Sequence, residues 1–226
     1  MIYRISGILF ILSTIIVLFT QAIAVAMWDG FYLLDTYLTS DLGLSTCGAF
    51  VDSFGKRLVC SPGHMWFDGG LILSGFLILC GGLFLWAVRK TSMHLGGVLL
   101  AFVGASTKVY GLNNSIPMLF IHVFSLWGTM LWAWWPRWAP SKSIIPLVNG
   151  APTLLLLLVS IGGFIALGVL GSNGLTPGIF ERLAMYPLYL WFVLLGVGVF
   201  SIPSYREKMS SMSLQQHVRQ DQDADI

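Results

Sequence analysis

The side chains that could carry chemistry in this chain are few, and they fall near the ends of long apolar segments. An ionisable group at or inside a membrane segment is costly unless it has a partner, so each one marks a functional or structural contact. Because these groups cluster towards one end of the predicted helices, we treat them together as a candidate polar cluster. Its members are Asp41, His64, Asp68, Lys108, His122, Glu181 and Arg182.

Glu181 and Arg182 are neighbours at the start of the last apolar segment. Adjacent residues on a helix point in different directions, so we expect them to reach different partners. Lys108 is a candidate partner for Glu181 or Asp68. Arg182 is a candidate partner for Asp41. Such pairs would either lock helix ends together or form a polar pocket for a headgroup, a substrate or an ion, and the residue types leave both interpretations open.

Two of the acids also have a purely structural interpretation. Asp41 lies in the segment Thr39–Gly43, where Ser and Asp side chains can accept hydrogen bonds from following backbone amides. Asp68 falls in the first turn predicted for the second apolar segment, where a negative charge complements the helix dipole. We therefore predict a cap or turn at Asp41 and electrostatic capping at Asp68.

The histidines do not form a recognisable metal site. His122 lies within the fourth apolar segment, and His64 comes just before the second. No His-x-x-x-His or Glu-x-x-His spacing occurs, so we predict no metal, and a single deep histidine argues against haem or another cofactor. No Gly-x-Ser-x-Gly, His-Glu-x-x-His or phosphate-binding loop is present. Whether the chain is an enzyme stays open on this basis.

Two of the three cysteines are placed to form a disulfide. Cys47 and Cys60 lie in the long connection between the first two apolar segments, whereas Cys80 lies within the second. Closing a loop of about 15 residues stabilises a protein by roughly 3 kcal/mol in the chain-entropy model, provided the compartment is oxidising. The Cys-x-x-Cys spacing of thiol-disulfide enzymes is absent. We predict a structural Cys47–Cys60 disulfide.

The elements that position these residues are predicted to be membrane-spanning helices. Of the 226 residues, 56% are hydrophobic and 10% are charged, against about 25% charged in soluble domains. Each apolar run approaches the roughly 20 residues needed to cross a bilayer. The predicted spans are Ile5–Met27, Phe67–Val88, His94–Leu112, Ile116–Trp135, Thr153–Leu170 and Ile179–Ile202.

These spans predict an all-α fold, a six-helix transmembrane bundle formed by residues 1–203. Residues 28–66 form a long loop between spans one and two, and residues 204–226 form a polar tail that is predicted to be disordered. Within the loop, the spacing of Phe31, Leu34, Tyr37 and Leu38 predicts a short helix that continues span one or lies in the membrane interface. Beyond Gly43 we expect irregular structure.

The basic residues predict the orientation. Six crossings place both termini on one side, and eight of the twelve Lys and Arg residues flank spans on that side. The positive-inside rule therefore predicts cytoplasmic termini, an extracytoplasmic loop and a location in the cell membrane. The net charge of +2 and the absence of a basic cluster with interleaved aromatics argue against nucleic acid as a partner.

Several motifs, in this order along the chain, resemble those of a known family. They are Thr39–Gly43, Trp66–Gly75, His122 and Gly178–Leu188. This combination resembles the domain-of-unknown-function 998 family of six-span membrane proteins, and the similarity extends from span one to span six. The resemblance implies the six-span fold but no established activity. It also implies that five residues converge on the outer side, namely Asp41, Asp68, His122, Glu181 and Arg182.

Two functions fit these expectations. The first is binding, processing or transport of a lipid or other amphipathic molecule through the outer polar cluster, with membrane lipids as partners, and it predicts a cleft open to lipid. The alternative is a noncatalytic subunit or assembly factor that contacts another membrane protein, and it predicts a closed, fully paired cluster. An ion-coupled transporter is a weaker third candidate because no three-plus-three inverted repetition is visible.

Overall fold

The structure, a computed structural model, describes residues 2–52, 54–87, 98–107, 116–134, 150–173 and 175–201. Most of these residues are helical, and the helices occupy the six predicted apolar segments. They are α1 Ile2–Ala26, α2 His64–Trp86, α3 Val98–Thr107, α4 Ile116–Trp134, α5 Ala151–Val169 and α6 Pro177–Phe200. Short 3₁₀ helices lie at Ser40–Gly43 and Gly171–Asn173. The tail 204–226 lies outside the described residues.

Four of the helices, α1, α2, α5 and α6, are long and apolar enough to cross a membrane. The shortest has 19 residues, which at about 1.5 Å per residue matches a hydrocarbon core of about 30 Å. Their outward faces are apolar too, for example at Phe19, Leu155 and Ile165. A helix that is hydrophobic all round suits a membrane rather than a surface in water.

Close backbone contacts join α6 to α1 and to α5. A Cβ added to Gly7 would lie 2.5 Å from the carbonyl oxygen of Gly196, and one added to Gly163 would lie 2.5 Å from the amide nitrogen of Ala184. Only a residue without a side chain allows this approach, which is how helices pack tightly when lipid offers no hydrophobic drive. The start of α6 is held beside the connection between α1 and α2 by a hydrogen bond from the Gly178 amide to the Asp35 carbonyl at 3.0 Å.

The first part of that connection is not helical, so the prediction of a helix across Phe31–Leu38 is wrong. Helix α1 ends at Ala26, and the following chain consists of turns. The rings of Trp28, Tyr32 and Tyr37 pack together with centroids 4.9 to 5.6 Å apart. This ring cluster folds the chain back on itself, and packing of these side chains overrides the helical spacing.

The second part of the connection is a β-hairpin rather than irregular structure. Strands β1 Gly48–Asp52 and β2 Gly55–Val59 pair antiparallel, from Gly48 opposite Val59 to Asp52 opposite Gly55. Cys47 and Cys60 lie just outside the first pair and form the predicted disulfide. On β2, Arg57 and Val59 are buried while Leu58 between them is exposed. The hairpin therefore directs the charged side chain of Arg57 inward.

Candidate functional site

Four charged residues form a buried group where the loop meets the start of α6. We call this group the loop–α6 cluster; it consists of Asp41, Arg57, Glu181 and Arg182, each at most 9% exposed. Asp41 belongs to the 3₁₀ helix, Arg57 to β2, and the last two to α6. Charges are rarely buried without partners, so their contacts indicate what the cluster does.

Asp41 and Arg57 form a bidentate ion pair inside the loop. Arg57 Nε lies 2.8 Å from Asp41 Oδ2, and Arg57 Nη2 lies 2.8 Å from Oδ1. The amide of Leu38 also donates to Oδ2 at 2.9 Å. Two expectations for Asp41 are therefore wrong: it accepts from a preceding amide rather than a following one, and it pairs with Arg57 rather than Arg182. The inward face of the hairpin supplies a nearer cation.

Arg57 has a second, more exposed acid partner. Its Nη1 lies 2.8 Å from Oδ1 of Asp52, whose side chain is 41% exposed. Partial burial acts to raise the pKa of Asp52, but hydrogen bonds from Arg57 and from the Phe54 amide outweigh it and leave that pKa below its usual value. Burial likewise acts to lower the pKa of Arg57, and the hydrogen bonds to Asp41 and Asp52 raise it instead. Arg57 therefore stays charged.

This pair makes the stability of the loop depend on pH at the acid end. Because the folded-state pKa of Asp52 is lowered, its contribution is complete above the unfolded value of about 3.9 and is lost as pH falls through the folded value. We expect Asp52→Asn to cost less than about 1 kcal/mol at pH 6, since the pair is partly exposed, and less still at pH 3. Unfolding midpoints of both forms at the two pH values would measure this, and a difference that does not shrink in acid would contradict it.

Glu181 reaches from α6 into the loop. Its carboxylate accepts hydrogen bonds from the backbone amides of Thr39 and Ser40, the latter at 3.2 Å. These amides lie at the start of the 3₁₀ helix, where no donor has a partner within the helix. Glu181 therefore acts as a capping acceptor supplied by another element. Its predicted partner Lys108 lies outside the described residues.

Arg182 binds the loop backbone. Its Nη1 donates to the carbonyls of Leu34, Tyr37 and Gly178 at 2.7, 3.1 and 2.7 Å. Its Nη2 donates to the Tyr32 hydroxyl at 2.7 Å, and its guanidinium carbon lies 5.4 Å from the centre of the Tyr32 ring. All of these acceptors are neutral. Across the residues that the structure describes, Arg182 forms no ion pair with a carboxylate.

Two further candidates lie at the start of α2. His64 is the first residue of this helix, and its Nδ1 lies 3.0 Å from the carbonyl oxygen of Ser61. Because α2 begins at His64 rather than at Phe67, Asp68 stands beyond the first turn. The prediction that Asp68 caps the first turn is therefore wrong, since that effect fades within the first turn.

His122 belongs to a separate polar group among the helices. Its Nδ1 lies 3.1 Å from the Thr107 hydroxyl and 3.5 Å from that of Ser106, both on α3. With Ser74 and Tyr189 it borders an enclosed cavity of about 20 Å³. That volume is enough for about one water molecule. Within the described ranges, no group of three His, Cys, Asp or Glu residues is arranged to hold a metal.

An apolar groove lies directly beside the loop–α6 cluster. Its volume is about 590 Å³, and we call it the α6 groove. Among the described residues that line it, Arg182 alone is charged. The other lining residues are Leu34, Leu156, Ile179, Leu183, Tyr186, Pro187 and Leu190. The lipid-binding hypothesis predicted a cleft open to lipid but not the residues that line it. Four exposed positions of α6 at spacings of three and four residues, from Ile179 to Leu190, form one stripe.

No known protein family, curated protein or solved structure matches this chain. The resemblance to the domain-of-unknown-function 998 family therefore stays a prediction. Function has to be argued from the contacts of the chain itself.

Proposed function

We propose that this chain is a multi-pass protein of the cell membrane, with cytoplasmic termini and an extracytoplasmic loop, that binds a lipid or other amphipathic molecule in the α6 groove. The membrane location is supported by four long apolar helices with apolar outward faces. The orientation is supported by the distribution of Lys and Arg. The disulfide fits a loop on the oxidising side.

The α6 groove is the observation that carries the ligand-binding proposal. Small-molecule sites typically measure about 300–1,000 Å³ and are mostly apolar with a few polar groups. The groove has this size, and apolar side chains surround a single guanidinium. Leu34, Leu183 and Leu190 are about half exposed, so the groove is open along its outer side. It therefore offers a largely apolar path with the Arg182 guanidinium at one end.

The loop–α6 cluster has a different part in this proposal from the one the sequence indicated. Asp41 forms an ion pair with Arg57, and Glu181 accepts hydrogen bonds from loop amides. These contacts hold the loop onto α6 and form one wall of the groove through Leu34. The ligand is consequently bound beside the cluster. Arg182 is the member of the cluster that also lines the groove. Binding, rather than catalysis, is the activity that these contacts support.

Filling the groove tests this proposal. The double variant Leu183→Trp, Leu190→Trp places two large side chains on its apolar wall. We expect native mass spectrometry of the chain released from nanodiscs of phosphatidylglycerol and phosphatidylcholine to show at least one retained lipid in wild type and about tenfold less in the variant. Loss of about 1.4 kcal/mol of binding would suffice for that change.

A matched control separates the groove from the rest of the surface. Leu158 on α5 and Val197 on α6 are also exposed but do not line the groove. The double variant Leu158→Trp, Val197→Trp should keep the wild-type amount of lipid. Equal retention in the groove variant, the control and wild type would refute the proposal.

The alternative, a noncatalytic subunit, is favoured by one surface. Val51 and Leu58 are exposed on the outer face of the hairpin, next to Lys56. Exposed apolar side chains on a loop braced by a disulfide are suited to contact another protein. Purification of the chain from its native membrane, followed by native mass spectrometry, decides between the two functions. A second membrane protein in fixed ratio, with no retained lipid in wild type, would favour the subunit.

A further inference from the structure

We propose that the α6 groove selects amphipathic molecules with an anionic headgroup, and that Arg182 is the residue that binds that group. This inference rests on the proposed function, because it names the chemical class of the ligand in the same groove. It is carried by the neutral surroundings of the Arg182 guanidinium, by the hydrogen-bond donors of Arg182 and by the position of Arg182 at one end of the groove.

Among the described residues, the cluster leaves two charged side chains without an oppositely charged partner, Glu181 and Arg182. Arg57 is neutralised by the bidentate contact with Asp41. The carboxylate of Glu181 is taken by two backbone amides on the loop side. Arg182 is surrounded by carbonyl and hydroxyl oxygens, which accept hydrogen bonds but carry no net charge. A buried cation of this kind favours an anion that comes within contact distance.

The guanidinium also has donors to spare. Arginine carries five N–H groups, one on Nε and two on each Nη. Nη1 meets three carbonyl oxygens, whereas Nη2 has one acceptor, the Tyr32 hydroxyl. Nε is buried and, in the part of the chain that the structure describes, has no hydrogen-bond partner. Nε and Nη2 are neighbours on the same planar group, and carboxylate or phosphate oxygens match that spacing. An anion in the groove can therefore use the second N–H of Nη2, and the side chain must shift for the buried Nε to be reached.

The groove places this cation at one end of an apolar path. Leu34 lines the groove with its side chain and accepts from Arg182 through its carbonyl, so the guanidinium lies at the loop end. From Ile179 to Leu190 the groove follows α6 for twelve residues, whose ends are about 16 Å apart along the helix. A headgroup at Arg182 would thus have its hydrocarbon chain along Leu183 and Leu190.

Competition between two defined lipids tests the inference on the wild-type chain. The full chain is placed in nanodiscs of equimolar dioleoyl phosphatidylglycerol and dioleoyl phosphatidylcholine, and the lipids retained after release are counted by native mass spectrometry. Both lipids carry an anionic phosphodiester, but in phosphatidylcholine the choline cation cancels its charge. We therefore expect about tenfold enrichment of phosphatidylglycerol, which corresponds to about 1.4 kcal/mol of net attraction to the guanidinium. Equal retention of the two lipids would overturn the inference while leaving the proposed function intact. Retention of neither would refute both.

Two variants then locate the preference. Arg182→Gln should reduce the enrichment to near one, in protein whose Cys47–Cys60 disulfide and unfolding midpoint show that it is folded. Enrichment that persists in this folded variant would overturn the assignment to Arg182. Should Arg182→Gln not fold, the Leu183→Trp, Leu190→Trp variant decides. Anionic enrichment that survives a filled groove arises elsewhere on the protein, and enrichment that disappears supports the inference.

Discussion

Replacing Asp41 by Ala is expected to lower the free energy of unfolding by about 3–5 kcal/mol, the largest effect of any single change in the loop. The substitution removes the bidentate partner of Arg57, which is 8% exposed. A buried guanidinium left without its main carboxylate keeps its desolvation cost but loses the attraction that offset it. It also removes the acceptor of the Leu38 amide. The unfolding midpoint in a fixed detergent, followed by tryptophan fluorescence, would measure the loss.

Asp52→Asn is the matched control, because Asp52 binds the same guanidinium from a site whose side chain is 41% exposed. Exposed ion pairs contribute about 0–1 kcal/mol, so this change should be nearly silent at neutral pH. The double variant Asp41→Leu, Arg57→Met should recover part of the loss, since it removes the buried charge together with its partner. Similar losses for Asp41→Ala and Asp52→Asn would show that burial does not set the strength of these contacts.

Replacing Glu181 by Ala is expected to cost about 3–5 kcal/mol for a different reason. It leaves the amides of Thr39, which is buried, and of Ser40, which is partly buried, without their acceptor. Hydrogen bonds to a charged group are each worth about 1.5–3 kcal/mol, and two are lost together. Because these bonds join α6 to the loop, proteolysis of the loop should also become faster at equal temperature. Limited proteolysis alongside the unfolding midpoint would report both effects.

Two further substitutions make the interpretation of Glu181→Ala specific. Glu181→Gln keeps one acceptor oxygen and should lose less than the Ala variant. Asp29→Asn changes an exposed loop acid and should leave both readouts unchanged. An Ala variant as stable as wild type would mean that water or another group caps the 3₁₀ helix equally well.

The helices were predictable because each depends on a local property. A run of about 20 apolar residues has few other folds available, so the six predicted segments carry the six helices, with shifts of a few residues at the described ends. The disulfide was predictable from cysteine placement for a similar reason. Helix ends were less certain: α2 begins at His64, three residues earlier than expected, which changed the role assigned to Asp68.

The partners within the cluster could not be read from the chain, because they depend on which face of a short hairpin turns inward. The sequence singled out Asp41, Glu181 and Arg182 but missed Arg57, whose neighbours Leu58 and Val59 point to opposite sides. The alternation from Lys56 to Val59, after a glycine at the turn, was the signal that could have indicated a strand. The residues that line the groove could not be predicted from the sequence, because they come from α5, α6 and the loop, which are far apart in the chain.

The long separation between Glu181 and its loop contacts has a consequence for biosynthesis. Thr39 precedes Glu181 by 142 residues, so at about 5–20 residues per second the loop is made roughly 7–28 s before its capping carboxylate. Until α6 arrives, the amides of Thr39 and Ser40 and the carbonyls that bind Arg182 lack these partners. A nascent or truncated form without α6 therefore presents an open, cleavable loop, and the loop closes once α6 is in place.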